Sequence, residues 1–114
     1  MNIVESKVKL NEEVRIVREH VSAYLHKNIK LIPMNISWNM DSLNHVINIA
    51  TSIMCIKWGI GYNGGSFASA VASNNLTATY GNADSTNRDC IHFYVVMINN
   101  LDYPSGLLKL NEEF

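Results

Sequence analysis

The sequence predicts an α+β fold: two long helices packed on a small antiparallel sheet, within one domain spanning residues 1–114. Three observations lead there. Apolar residues recur at helical spacing over 11–27 and again up to about residue 57. The run Cys90 to Ile98 (CIHFYVVMI) is apolar, aromatic and β-branched nearly throughout. Shorter stretches at 29–37 and 76–80 read as extended, and turn residues separate them from their neighbours.

The first helix is expected over 11–27. Asn11 opens it, Glu12 and Glu13 occupy the first turn where carboxylates meet the positive end of the dipole, and Val14, Val17, Val21, Tyr24 and Leu25 form its apolar face. Lys27 and Asn28 end it. Ile29 to Ser37 follows as an edge strand or extended connection, because Pro33 removes a ladder donor. Asp41 or Ser42 caps the second helix, whose face carries Leu43, Val46, Ile47, Ala50, Ile53 and Met54 and which Gly59 terminates. A strand over Thr51 to Trp58 is the competing reading of its second half. Ser66 to Ala72 is expected as a short helix ended by Asn74-Asn75, Leu76 to Tyr80 as a strand, Gly81 to Asp89 as a polar loop, and 90–98 as the central strand, with 107–110 adding a short one. A strand apolar on both faces needs cover from each side, so a second subunit is expected over the face the helices leave open, which makes the protein a homo-oligomer.

Composition narrows the function classes. Charged residues make up 17% of the chain, below the usual share of about 25%, and the formal net charge is −1. Fifteen asparagines take their place and give a polar, neutral surface. Between Leu31 and Leu107 the only cations are Lys57 and Arg88, so nucleic acid is not the expected partner. Neither a signal peptide nor a long apolar span is visible, and a cytoplasmic protein is expected, with Cys55 and Cys90 as reduced core thiols.

The segment most like a site is Gly59-Ile60-Gly61-Tyr62-Asn63-Gly64-Gly65-Ser66. Gly59, Gly61 and Gly64 fit the dinucleotide spacing G-x-G-x-x-G, with Asp84 where a ribose-binding acid would stand. Two features oppose that reading: a helix is expected before the cluster, where the motif needs a strand, and too little chain follows for two nucleotide-binding halves. A phosphate loop of the G-x-x-x-x-G-K-S type is also improbable, because Gly65 occupies the lysine position. What survives is an anion nest for a small anionic ligand, made of backbone N–H groups over Gly61, Tyr62, Asn63, Gly64, Gly65 and Ser66, with Ser66, Asn63 and Tyr62 as side-chain partners. A small-ligand or nucleotide-binding module would use this turn with Ser66 and Arg88. The plainer reading is a helix stop, a turn and a close-packed helix of small residues.

No catalytic residue is assigned. His92 with Cys90 or Asp89 is the arrangement that would make a small enzyme, and a Cys–His pair of Cys90 or Cys55 with His92 or His45 stays open because sequence distance does not give spatial distance. His20 and His26 do not share a helix face, so no metal site is expected, and no cofactor is either. Trp38, Trp58 and Tyr62 stand beside turns, where an aromatic ring can stack on a ligand or anchor a partner. The expectation is therefore a small non-enzymatic binding protein that contacts another macromolecule, most simply a protein. The residues match no family's motif set position by position. In size and neutrality the chain is like accessory and inhibitor proteins of phages and mobile elements, an analogy of style.

Overall fold

In a computed structural model, which describes residues 2–61 and 64–113, the chain is helical and no strand occurs among the described residues. The elements are α1 (Ile3–Lys27), a 3₁₀ turn (Ile29–Leu31), α2 (Met34–Ser37), α3 (Met40–Lys57), α4 (Gly65–Ala72), α5 (Leu76–Gly81), α6 (Ser85–Asp89), α7 (Ile91–Asn100) and α8 (Ser105–Glu113). The expected α+β class is therefore wrong. The helices expected at 11–27, 42–57 and 66–72 are present, and the segments expected as strands are helices or helical turns.

α3 is the centre of the bundle and packs against α1, α2, α4, α6 and α7. All six residues from Ala50 to Cys55 are buried, as expected for a helix surrounded on every side. Its cap is Asn39, whose side chain accepts from the Ser42 amide, not Asp41 or Ser42. It ends at Gly59 (φ 71°), where the Ile60 amide donates to the Cys55 carbonyl and the Gly59 amide to the Ile56 carbonyl. That is a Schellman closure, and buried Ile60 anchors it.

α1 starts eight residues earlier than expected, at a capping box formed by Asn2 and Glu5. Val17, Val21 and Leu25 bury the stripe that faces the core, while Ile3, Val4 and Val8 stay exposed. Its polar face carries Arg15 between Glu12 (2.8 Å) and Glu19 (2.5 Å). The hydrogen bond from Arg15 holds the Glu12 carboxyl below its ordinary range. α8 lies against α1 through fully buried Leu107, and Gly106 passes close to Ile16.

The run 90–98 forms α7 because its burial follows a helical period. Ile91, Phe93, Tyr94 and Met97 are buried, whereas His92, Val95 and Asn99 are exposed. Aromatic contacts fix this face: Phe93 lies 6.2 Å from Tyr24 of α1, and Tyr94 lies 5.7 Å from Phe67 of α4. The Tyr94 hydroxyl donates to buried Asn87 at 2.9 Å, and Lys57 donates to the Ile98 carbonyl near the negative end of α7. Packing has overridden a strand propensity that is weak and context-dependent. With no sheet, the reason for a second subunit over a sheet face no longer applies.

The short helices rest on caps. Asn74 takes a left-handed conformation (φ 61°) that closes α4, and Asn75 then caps α5 at the Ala78 amide. Asp84 caps α6 at the Asn87 amide (2.7 Å). These caps turn the expected strand at 76–80 and loop at 81–89 into helices. Leu107–Leu110 likewise belongs to α8.

Both thiols are free and fully buried. Burial pushes Cys55 up to about 11, aided by Glu13, and Cys90 up to about 11, aided by Asp89 and Asp84. Burial also raises the Tyr94 phenol, with Cys90 and Asp84 adding to the effect. An unfolded thiol titrates near 8.5. Between about pH 8.5 and 11 the unfolded chain therefore releases protons that the folded chain keeps, so stability falls as pH rises. The urea midpoint should be insensitive to these groups below pH 8 and drop from pH 9 to 11; a midpoint that rises there would contradict the burial of these three groups.

Candidate functional site

The described part of the glycine turn, residues 59–61 and 64–66, joins two helices. The helix α3 precedes it, with Gly59 as its stop, so the dinucleotide fingerprint lacks its strand. Gly61 and Ser66 are exposed; Gly65 has φ 80° and begins α4. Gly64 sits where α4 approaches α3: a Cβ there would lie 2.8 Å from Ser52 Cβ, 3.0 Å from Ile56 Cδ1 and 3.1 Å from Ala68 Cβ. Tyr62 and Asn63 lie outside the described residues. Arg88 is exposed on α6, which packs on α3 and α7, whereas α4 packs on α3, α5 and α7. None of the three grooves described for this surface includes Arg88 or a residue of 59–66.

The enzyme arrangement is not assembled either. Cys90 is buried and His92 exposed, two positions apart on the helical backbone, so they face different ways. No hydrogen bond joins His92 to Asp89, and no serine, threonine or cysteine side chain is bonded to a histidine among the described residues. His45 instead pairs with Asp84 (Nε2 to Oδ2, 3.0 Å), a contact between residues 39 positions apart that ties α6 to α3 and that spacing alone did not reveal. Groups of three or more metal-ligating side chains are absent among the described residues.

The corner between α1 and α3 carries Trp38, the most exposed large apolar side chain among the described residues. Asn28 ends α1, its amide and side chain both bonding the Tyr24 carbonyl. The 3₁₀ turn follows, and Pro33 (φ −55°, ψ 141°) opens α2. Ile32 and Ile36 are each 3% exposed and pin this segment to the core. With those two turned inward, Met34 and Trp38 turn outward, 64% and 82% exposed, and Met40 is 78% exposed. The Trp38 amide donates to the Met34 carbonyl and the Asn39 amide to the Ile36 carbonyl, so the backbone beneath the ring is held at both sides. A groove of about 380 Å³ runs beside it, lined by Ile29, Lys30, Ile32, Met34, Ser37 and Trp38.

Tryptophan is usually well buried, so an indole this exposed on a rigid backbone carries information that an isolated surface leucine does not. The sequence singled out Trp38 by its place beside a turn; Met34 carried no signal until the fold placed both in one groove. Trp58, the other tryptophan flagged, is half-buried and packs edge-on against Tyr103 at 5.6 Å.

A wider groove of about 790 Å³ lies between α1 and the α7–α8 connection, with His20, Tyr24, Lys27, Asn100, Asp102 and Tyr103 in its wall. His20 donates from Nδ1 to the Ile16 carbonyl (2.9 Å), which leaves Nε2 as the acceptor of the neutral ring. The opposite charges of Lys27 and Asp102 select no ligand class.

Comparison with protein-family models, curated proteins and solved structures finds no match for this chain. No helix among the described residues is long and apolar enough to cross a membrane.

Proposed function

We propose that this chain is a non-enzymatic binding protein that holds a protein partner through the α2 corner and acts on that partner by occupancy, as an accessory protein or inhibitor does. The observation that carries the reading is Trp38, 82% exposed and sharing a groove with Met34 on a segment that Ile32 and Ile36 fix to the core. Indole and thioether side chains on a rigid support bury much area at little entropic cost, and tryptophan is enriched among residues that dominate binding energy.

The test is affinity capture from the source cells with three baits: the native chain, Trp38→Ala, and Leu76→Ser as a control at an exposed apolar residue on α5 (69% exposed). The native chain and the α5 variant should retain one protein in stoichiometric amount. The Trp38→Ala bait should lose it, by about thirtyfold in affinity for a residue worth about 2 kcal/mol, with unchanged circular dichroism. Equal capture by Trp38→Ala would refute the assignment of this corner.

A further inference from the structure

We infer that the partner segment received at this corner is an acidic peptide stretch carrying one or two large apolar side chains. The inference rests on the reading of the corner as a protein-binding surface and adds the chemistry of what binds there. No aspartate or glutamate occurs from His20 through Met40, and the formal charges in that stretch are Lys27, in the wall of the wider groove, and Lys30. Lys30 is exposed and is the one charged residue lining the groove. The nearest acid in sequence on the upstream side, Glu19, is engaged by Arg15. On the downstream side Asp41 stands in the first turn of α3 and does not line the groove.

The groove itself is apolar over Ile29, Ile32, Met34 and Trp38, and its volume of about 380 Å³ is at the small end of the range for binding pockets, about 300–1,000 Å³. It suits apolar side chains of a peptide, with a carboxylate beside them meeting Lys30. A nucleic acid is less well matched, because a single lysine in the groove neutralises few phosphates and leaves little of the counterion-release term. A membrane surface is less well matched too, since stable attachment by charge takes a larger basic cluster.

A random 12-residue peptide display library, selected on the full chain and counter-selected on Trp38→Ala, tests this. Recovered sequences should combine Phe, Trp, Leu or Ile with Asp or Glu. A synthetic peptide of the recovered sequence should bind the native chain, lose at least about tenfold in affinity against Lys30→Glu, and weaken as salt is raised from 50 to 300 mM. Peptides that depend on Trp38 yet carry no acid, or that ignore Lys30→Glu, would overturn the acidic segment and leave the protein-binding corner standing. Recovery of no Trp38-dependent peptide would overturn both. Tighter binding to a thymidine 20-mer, or to vesicles of phosphatidylserine and phosphatidylcholine, than to any peptide would overturn the partner class.

Discussion

Replacing Phe93 by alanine should destabilise the protein by about 3–5 kcal/mol, a large part of the 5–15 kcal/mol that holds an ordinary domain together. The ring is fully buried and packs against Tyr24 and Tyr94, so its removal leaves a cavity where α1 meets α7. For a domain of this size the melting temperature should drop by about 12 °C or more. Val95→Ala is the informative companion. In a strand, residues 93 and 95 would share a face and suffer alike. In α7 they do not: Val95 is 47% exposed, and its truncation should change stability by no more than about 0.5 kcal/mol. Comparable losses from the two substitutions would contradict the helix.

Gly64→Ala should cost about 3 kcal/mol, near the top of the range for adding a methyl group to a packed contact. Of the three atoms it would meet, Ile56 Cδ1 can swing aside, but Ser52 Cβ and Ala68 Cβ are fixed to the backbones of α3 and α4. Relief therefore requires the two helices to separate. Gly61→Ala, with nothing within 4 Å of its Cβ, is the control and should change stability by no more than about 0.5 kcal/mol. Urea unfolding of both variants measures the difference. If the Gly64 and Gly61 variants unfold together, the close approach of α3 and α4 is not the reason for glycine at 64.

These two positions also show where the sequence could be read and where it could not. Gly59 was legible as a helix stop, and Asn74-Asn75 as another, because a left-handed residue after a periodic stretch has a local cause. The helix 42–57 was legible for the same kind of reason. The segment 90–98 was not: when nearly every residue is apolar, neither period stands out, and the choice falls to propensity, which favours strand for Ile, Phe, Tyr and Val. The helix there depends on contacts with Tyr24 and Phe67, which lie 69 and 27 positions from their partners Phe93 and Tyr94. Short helices such as 76–81 and 85–89 depend on a single cap each, and a cap without a long periodic stretch behind it resembles a turn. For the site, the polar residues of 84–92 stand close together in sequence. The structure spreads them across a cap, a His45 contact and an exposed face, while Trp38 gained its meaning only when Ile32 and Ile36 were seen to point inward.

The asparagines were read as surface decoration, yet many sit at helix ends. Asn2, Asn39 and Asn75 accept from amides at helix starts, and Asn28, Asn82, Asn99 and Asn100 donate to carbonyls at or near helix ends. An amide does both jobs with no proton to lose and no charge for dissolved ions to shield. Most joints of this molecule are thus largely indifferent to the acidity and salinity of their surroundings, the start of α6 at the Asp84 carboxylate being an exception.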